Sequence, residues 1–411
     1  MSGKCYVGLE CTVCGKTYAE VSIKVCPSCG GVLTGKYDLG GANIRIERGR
    51  SIWQFEDLFP PISHKNRVSL DEGWTPYVRL ESYGKLIGVR DLWGKLEGQN
   101  PTGSFKDRAA SLLISLVKEW GKQGVFTASS GNAAAAIAAY AARGGVSALI
   151  LVREDAPTSK LAQISMYHPE IIRVKDLFRT KQTLLGFLQS VEGVLHGWQN
   201  GFLWAPCNPL TVDGIKSISY EIASNNTPDY VFVPTAGGDL LYSVYKGFKE
   251  LVELGLATHI PKMVAVQGEG AAPLVNAVEK GLQHVVDTER ADTIAGALRV
   301  NFGSDHALKA INGSGGFAVG VSDEEIVEAQ RQLAQLDGVF AEISSCAALA
   351  AVKKAALTGK IGADESIAVI LTGNGFKDYY PRLGSASELP LVNSVEELRG
   401  MLSLGEASNN L

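Results

Sequence analysis

Short apolar runs alternate with stretches of helical periodicity along the chain from Val68 onward. Runs typical of buried strands cover residues 125–129, 147–152, 171–175, 202–206, 229–235, 262–268 and 366–373. Amphipathic helical patterns cover residues 132–145, 159–168, 180–191, 213–225 and 239–255. Because strands that alternate with helices form βα units, the pattern predicts an α/β fold built on doubly wound parallel sheets.

The N-terminal residues follow a different pattern, which is set by cysteines. Two CxxC pairs, Cys11 with Cys14 and Cys26 with Cys29, are separated by 11 residues. Two such knuckles offer four thiolates to a tetrahedral Zn²⁺, and a glycine after each pair allows a tight turn. The spacing predicts a structural zinc site, with a motif that holds no metal or a redox pair as alternatives. Cys5 is left as a small core residue or a free thiol.

Composition and charge exclude several classes of partner. The 411 residues carry a formal net charge of −4, with acidic and basic side chains interspersed. This gives no basic surface for a nucleic acid or an anionic membrane, so we expect small molecules as partners. The first residues do not resemble a signal peptide, and the most apolar stretch, 133–152, is interrupted by Arg143 and two glycines. Since five of the seven cysteines lie within the first 29 residues, we expect a local metal site and a cytoplasmic protein.

The stretch GQNPTGSFKDRAA, residues 98–110, places Lys106 after a small-residue turn and at the start of a predicted helix. A lysine is a nucleophile only when it is deprotonated. Desolvation and the positive end of a helix dipole both favour the neutral amine. Lys106 is therefore a candidate catalytic residue, and a solvated surface lysine is the alternative.

Three further stretches carry polar groups directly after predicted strands. TASSGN (127–132) offers hydroxyl and N–H groups to a carboxylate, or an ordinary serine cap to the next helix. VPTAGGDLL (233–241) can cradle a phosphate, although it is neither a Walker nor a dinucleotide motif. LTGNGFKD (371–378) ends a strand on Thr372, where ligands bind in parallel sheets or where a hydroxyl caps a turn. With the lysine, these groups predict a pyridoxal 5'-phosphate (PLP) site.

At these motifs the chain resembles the threonine synthases, a family of fold-type II PLP enzymes in the superfamily of the tryptophan synthase β-subunit and threonine dehydratase. SLDEGWTPY, NPTGSFKDRAA, TASSGNAAAA, CNPLTVDGIKSISYEI and LTGNGFKD occur in the family's order between about Ser69 and Asp378. CxxC knuckles recur in some members. The resemblance implies a carbon–oxygen lyase of amino-acid biosynthesis that binds PLP and forms a homodimer.

The resemblance also implies roles for single residues. Lys106 would bind the cofactor aldehyde and then act as the base at the substrate Cα, with Phe105 packed against the site. Asn132 would bond to the ring hydroxyl, and Thr372 would face the ring nitrogen. A threonine is too weak an acid to protonate a pyridine, which favours elimination and replacement. The residues expected to hold the cofactor phosphate are Thr235, Ala236, Gly237, Gly238 and Asp239, and those expected to bind the substrate carboxylate are Ser129, Ser130 and Gly131.

By the same resemblance the chain divides into four parts. Residues 1–38 form the zinc-knuckle segment, and residues 39–108 with 205–395 form a large PLP-binding lobe. Residues 109–204 form a small mobile lobe, which would close over the substrate and exclude water. Residues 396–411 are a C-terminal helix end and tail.

One part of the family pattern is absent. Threonine synthases hold the phosphate of O-phosphohomoserine with a segment N-S-x-N-P-x-R, where this chain has Ala205, Pro206 and Thr211 at three ligand positions. Ala133 and Ala134 likewise stand in place of a Thr-Ser pair. Each charge-assisted hydrogen bond lost forfeits about 1.5–3 kcal/mol. Other residues considered are Arg153, Lys160 and Lys216 as replacements, Arg299 as a structural or lobe-contacting residue, and Glu342 as a neighbour of the ring.

Three hypotheses follow from the sequence. The first is a threonine synthase, which converts O-phosphohomoserine and water into threonine and phosphate. The second is a specialised relative that performs elimination or replacement on an amino acid without a terminal phosphate. The third is a non-catalytic protein that has kept the fold and binds the cofactor or zinc.

Overall fold

The computed structural model describes residues 5–19, 23–42, 44–156, 158–176, 180–378 and 389–408. In chain order the strands are β1 (Tyr6–Cys11), β2 (Thr17–Tyr18), β3 (Leu33–Tyr37), β4 (Tyr77–Arg79), β5 (Asp91–Leu96), β6 (Gly124–Ala128), β7 (Ser147–Arg153), β8 (Glu170–Val174), β9 (Trp198–Asn200), β10 (Tyr230–Pro234), β11 (Lys262–Gly268), β12 (Phe317–Val321) and β13 (Ser366–Leu371).

The helices are α1 (Glu81–Ile87), α2 (Lys106–Glu119), α3 (Asn132–Gly144), α4 (Thr158–Ser165), α5 (Lys181–Val194), α6 (Thr211–Ile215), α7 (Ser217–Ala223), α8 (Asp239–Glu253), α9 (Pro273–Glu279), α10 (Asp305–Ser314), α11 (Asp323–Asp337), α12 (Ile343–Leu357) and α13 (Val395–Ser408). The described residues up to Asp378 form one compact unit, and α13 belongs to a separate C-terminal unit. Within the described residues, no helix has the length and apolar character needed to cross a bilayer.

Three sheets organise the first unit. A large sheet has the order β12-β11-β10-β13-β5-β4 and is parallel except for β4. A smaller, fully parallel sheet has the order β8-β7-β6-β9. The N-terminal strands form a small antiparallel sheet, β2-β1-β3, as in a zinc ribbon. The α/β fold with two parallel sheets is therefore as predicted.

The large sheet is covered on both faces, which agrees with the mainly apolar sequences of its central strands β10, β11 and β13. Successive residues of β10 alternate between two cores: Val231 and Val233 pack with α8, whereas Tyr230 and Phe232 pack with α12. In such doubly wound sheets the carboxyl ends of the strands are the places where ligands bind. The fold thus directs the loops after β10 and β13 toward a common edge.

Two predicted elements differ from the structure. Residues 202–206 are not a strand, because β9 ends at Asn200 and the side chains of Phe202 and Trp204 that follow pack in an aromatic cluster. The ring centroids of Trp204 and Phe302 are 4.9 Å apart in this cluster. The predicted helix 213–225 is divided into α6 and α7 at Lys216, where Ser219 N donates to Lys216 O in a tighter, three-residue turn.

A buried ion-pair network fixes the first turn of α2. Arg108 donates to Glu97 through Nε and Nη2 at 2.7 Å each, and also to Glu221 through both terminal nitrogens. Lys95 of β5 donates to Glu221 at 2.7 Å. Because a buried charge must be paired, this network ties α2 to β5 and α7 and holds the start of α2 in place.

Candidate active site

Three loops and one helix start converge on a single cavity of about 1030 Å³. The loops follow β6, β10 and β13, and the helix is α2. The predicted site residues that line the cavity are Phe105, Lys106, Ser129, Ser130, Gly131, Asn132, Ala236, Gly237, Gly238, Asp239 and Thr372. Thr235 is buried beneath the loop, and its hydroxyl donates to Val233 O at 2.7 Å.

Lys106 is the first residue of α2, and its Nζ lies 4.6 Å from the centroid of the Phe105 ring. Burial lowers the pKa of Lys106, while the carboxyl groups of Asp239 and Glu342 act in the opposite direction. A cavity-lining amine whose pKa is lowered is suited to act as a nucleophile and a base. The alternative of a solvated surface lysine does not describe this side chain.

Glu342, the residue before α12, joins two of the predicted residues. Asn132 Nδ2 donates to Glu342 Oε2 at 2.8 Å, and Thr372 Oγ1 donates to Glu342 Oε1 at 2.7 Å. Ser345 Oγ lies 2.8 Å from Thr372 Oγ1. Burial raises the pKa of Glu342, and the two donated hydrogen bonds oppose that rise. The resemblance placed Glu342 beside the ring, but nothing local in the sequence indicated its hydrogen bonds to Asn132 and Thr372, which lie 210 and 30 residues away.

The loop between β10 and α8 has the shape of an anion cradle. Gly238 has a φ of 109°, and a Cβ at this position would lie 2.6 Å from Ala307 Cβ. A Cβ on Gly237 would lie 2.9 Å from Trp204 Nε1, a buried N–H without a hydrogen-bond partner in the described part of the chain. The first N–H groups of α8 also lack helical partners. These features fit a phosphate group.

Asp239, at the start of α8, uses its carboxylate within the protein. Its Oδ2 accepts the Ala205 N–H at 2.9 Å, and its Oδ1 lies 2.9 Å from His306 Nε2. His306 is fully buried on α10, and its Nδ1 has no partner among the described residues. The main-chain N–H of Asp239 is thus the group left for the predicted phosphate contact. His306 was missed in the sequence because it lies 67 residues from Asp239.

The loop after β6 keeps its N–H groups at the start of α3. Gly131 is the residue before α3 and provides no side-chain cap, and Ser129 Oγ accepts the Gly131 N–H at 3.2 Å. A serine that caps the helix directly, the alternative considered from the sequence, is therefore not what the loop contains. Uncapped N–H groups at a helix N-terminus are suited to a carboxylate.

The altered phosphate segment does not face the cavity. Ala205 and Thr211 are buried, and Thr211 Oγ1 has no hydrogen-bond partner in the described part of the chain. Residues 205–211 are all described, and none of them lines the cavity. The aromatic and aliphatic side chains of residues 202–204 line it instead.

Basic side chains nevertheless reach the cavity. Arg153 and Arg299 line it, and Arg153 is held by a neighbouring aspartate through hydrogen bonds of 2.8 and 2.7 Å. Lys216 is fully buried in a separate ion-pair cluster, and the side chain of Lys160 lies outside the described residues. Lys377, which the sequence analysis did not single out, also lines the cavity.

The four cysteines of the two knuckles come together beside β1. All four Sγ atoms lie within 4.8 Å of one another, with 3.5 Å between Cys11 and Cys29 and 3.6 Å between Cys14 and Cys26. A tetrahedral zinc with Zn–S bonds of about 2.3 Å places its sulfurs about 3.8 Å apart. The donor set therefore fits Zn²⁺ and would leave no open position for a reacting water. Cys5 is buried.

Comparison with known proteins identifies the class. Residues 68–373 match the family model described as pyridoxal-phosphate dependent enzyme. The chain therefore belongs to the PLP-dependent enzymes, as the cavity had indicated.

Individual proteins show which enzymes of this class the chain is similar to. Threonine synthase of Methanocaldococcus jannaschii is 36% identical over 381 residues, covering 90% of this chain and 92% of that protein. Threonine synthase of Methanosarcina acetivorans is 34% identical over the same shares of the two chains. Among solved structures, maize serine racemase has a TM-score of 0.63 at 23% identity, covering 82% of this chain and 93% of that one, which shows the shared fold. The predicted family resemblance is confirmed.

Proposed function

We propose that this enzyme catalyses elimination or replacement on an α-amino acid, and that it converts O-phosphohomoserine and water into threonine and phosphate. The curated relatives named threonine synthase, at 36% and 34% identity over 90% of the chain, support this activity. The structural observation that carries it is the convergence of Lys106, the loop after β6 and the glycine loop before α8 on one cavity.

The site residues have distinct tasks in this proposal. Bound PLP supplies an aldehyde for a lysine amine and a ring that withdraws electrons from the substrate Cα. Lys106 is the amine that would bind the aldehyde, and its Nζ would afterwards accept the Cα proton. The amides of Ala236 to Asp239 would hold the cofactor phosphate, and those of Ser129 to Gly131 would hold and orient the substrate carboxylate. Asn132 and Phe105 would border the ring.

The surroundings of Thr372 bear on the type of reaction. Thr372 Oγ1 donates its hydrogen bond to Glu342, so it would offer no acidic proton to the nitrogen of a bound ring. A ring without a strong acid at its nitrogen is a mild electron sink. This favours loss or exchange of a leaving group over chemistry that needs a long-lived carbanion.

A second candidate function is elimination or replacement on an amino acid other than O-phosphohomoserine. The observation in its favour is the altered phosphate segment, because Ala205 and Thr211 are buried and residues 205–211 do not line the cavity. A changed set of side-chain ligands is the expected result of a changed substrate.

One assay separates the two candidates. The PLP-loaded enzyme is given O-phospho-L-homoserine, and phosphate release and threonine formation are both measured. Turnover supports threonine synthase activity, and Lys106→Ala should abolish both the turnover and the visible absorbance of lysine-bound cofactor. An intact cofactor spectrum without turnover rejects O-phosphohomoserine and favours the second candidate. If the wild-type protein binds no PLP, the result would favour the hypothesis of a non-catalytic protein.

We also propose a structural zinc ion on Cys11, Cys14, Cys26 and Cys29, a homodimer, and a cytoplasmic location. The grouped thiol sulfurs support the first, the resemblance to the family supports the homodimer, and the clustering of five of the seven cysteines within the first 29 residues supports a reducing compartment. Metal analysis after purification without chelator should find about one zinc per chain. Light scattering should give twice the 43.7 kDa mass of the chain.

A further inference from the structure

The cavity is lined by five basic side chains among the described residues, and four of them are accounted for. Lys106 is assigned to the cofactor, and Arg153 is bonded to a neighbouring aspartate at 2.8 and 2.7 Å. Arg290 and Arg299 are exposed to solvent, where a charge needs no partner. Lys377 is half-buried and makes no ion pair with any residue that the structure describes.

Lys377 is held in a defined position at the end of the short turn Gly375–Lys377 that follows β13. Its Nζ donates to Gln163 Oε1 on α4 at 2.8 Å. Gln163 Nε2 in turn donates to Thr102 O at 3.0 Å, so the amide is oriented with its carbonyl toward the lysine. An ammonium group has three donors, which leaves two for another acceptor.

The two carboxyl groups that influence the charge of Lys377 are hydrogen-bonded to other residues. Burial lowers the pKa of Lys377, and Glu342 and Asp107 act in the opposite direction. Glu342 is hydrogen-bonded by Asn132 and Thr372, and Asp107 accepts the Thr102 N–H at 2.6 Å. Among the described residues the hydrogen-bond acceptor of this half-buried ammonium is a neutral amide, which compensates its charge incompletely, so an anion in the cavity would bind to it favourably.

We propose that Lys377 binds the phosphate carried by the substrate side chain, and that Gln163 is its positioning residue. Lys377 would then provide the contact for which Ala205, Pro206 and Thr211 offer no charge. When the C–O bond breaks, its electron pair leaves with the phosphate, whose charge the ammonium stabilises. The inference rests on the proposed function only in requiring an amino-acid substrate, since Lys377 could bind a phosphate carried at either Cβ or Cγ.

The test measures the contribution of the phosphate to binding. Dissociation constants for the PLP-loaded enzyme come from the cofactor absorbance change on rapid mixing, before turnover. The ligands form two matched pairs, O-phospho-L-homoserine with L-homoserine and O-phospho-L-serine with L-serine. The wild type should favour the phosphorylated member of at least one pair by tenfold or more. Lys377→Gln should reduce that ratio by about ten- to a hundredfold, and Lys377→Arg should keep part of it.

Further variants make the result specific. Arg153→Gln is the matched control, since it removes a cavity cation that already has a partner, and it should leave the ratio unchanged. Gln163→Leu should lower the ratio several-fold by releasing Lys377, which keeps the proposal testable if Lys377→Gln fails to retain PLP. An unaltered ratio in the Lys377 or Gln163 variants, a loss in Arg153→Gln instead, or a wild-type ratio near one for both pairs overturns the proposal. Preference for O-phosphoserine without threonine formation would reject only the proposed substrate.

Discussion

Buried carboxyl groups set the charge balance around Lys106. Asp107 adjoins it in sequence, and Asp239 and Glu342 both act on its charge. Each of these carboxyl groups is satisfied by the protein itself, through Thr102, His306 or Asn132. The amine therefore has no direct carboxylate partner in the described structure that would hold it as an ammonium, and it stays available for a cofactor aldehyde.

The pKa of Asp107 gives a prediction about stability. Burial raises this pKa from 3.8 to about 7, against the hydrogen bonds from Thr102. The folded protein therefore holds the proton more tightly than the unfolded chain does, so this contribution to stability is full below about pH 4 and is lost as the pH rises toward 7. The substituted side chain would not titrate, so the difference in unfolding free energy between Asp107→Asn and the wild type should shift in favour of the variant by up to about 4 kcal/mol as the pH rises through that window. Urea unfolding at several pH values measures this. The exposed Asp364→Asn serves as the control, and a difference that does not vary with pH would contradict the assignment.

His306 gives a prediction about cofactor retention. It faces the carboxylate of Asp239 beside the glycine loop, and His306→Phe would remove that donor while keeping a ring in the buried site. An under-satisfied carboxylate next to a phosphate is unfavourable, so the affinity for PLP should fall about tenfold or more. The effect should shrink in an Asp239→Asn background, where no charge needs compensation. Absorbance titration with PLP measures it. His284→Phe, which removes an exposed histidine 2.8 Å from Asp305, is the control; equal losses in the two would refute the role.

At the scale of elements, apolar runs predicted the strands that are buried on both faces, such as β10, β11 and β13. β5 escaped prediction because its charged Lys95 is buried, which is made possible by a 2.7 Å contact with Glu221, distant in the chain, and by a hydrogen bond to Thr75 O. Residues 202–206 were wrongly predicted as a strand, since an apolar run can be buried by an aromatic cluster as well as by a sheet. Sequence reasoning has a similar limit at the cavity. Lys106 and Asn132 belong to local motifs and could be predicted, whereas the contact of Glu342 with Asn132 joins residues 210 positions apart and could not.

A buried cluster of charges joins α6, α8 and β3. Lys216 Nζ lies 3.2 Å from Asp213, 3.1 Å from Glu250 and 3.6 Å from the ring centroid of Tyr37. Lys216→Met would remove one of the two lysines that pair with both buried carboxylates and leave their charge to Lys246, so we expect a loss of about 3–5 kcal/mol in unfolding free energy. Lys85→Met breaks an exposed pair with Glu81 on α1 and should lose under about 0.5 kcal/mol.

Denaturant unfolding followed by tryptophan fluorescence compares the two variants. A loss for Lys216→Met no larger than that for Lys85→Met would mean that the cluster is not part of the stable core. Binding of PLP should be little altered in either variant below the unfolding transition, because neither lysine lines the cavity.

On the scale of the whole molecule, the N-terminal sheet is joined to the catalytic part of the first unit. Tyr37 of β3 packs on Lys216, and Lys309 of α10 donates to Thr12 O at 2.6 Å. Folding of the knuckles around zinc should therefore stabilise the neighbouring parts of the first unit as well as the knuckles. Cys14→Ser should lower the zinc content well below one per chain and lower the melting temperature, while the PLP spectrum at low temperature is kept. A full zinc content in Cys14→Ser would contradict the proposed ligand set.

The two parallel sheets contribute different halves of the proposed site, which leads to a prediction about closure. The carboxylate loop follows β6 of the small sheet, whereas the cofactor loop follows β10 of the large one. Arg108 is bonded to Glu97 and Glu221, so the proposed small lobe, which begins at residue 109, would start directly after a fixed point. A ligand that contacts both loops should favour a closed arrangement.

Closure should be visible in α4, because Gln163 contacts Lys377 and Thr102 across the proposed lobe boundary. Hydrogen exchange of the α4 amides should slow in the PLP-loaded enzyme when a saturating amino-acid ligand is added, since closure buries this helix against the ligand. The amides of α12, which is packed beneath the large sheet, should exchange at the same rate with and without ligand and serve as the internal control. In Gln163→Leu the slowing in α4 should be smaller at equal ligand occupancy, because the contacts that fasten the helix are gone. Equal exchange in α4 with and without bound ligand would show that the small lobe does not close, and water would then have to be excluded by the substrate itself.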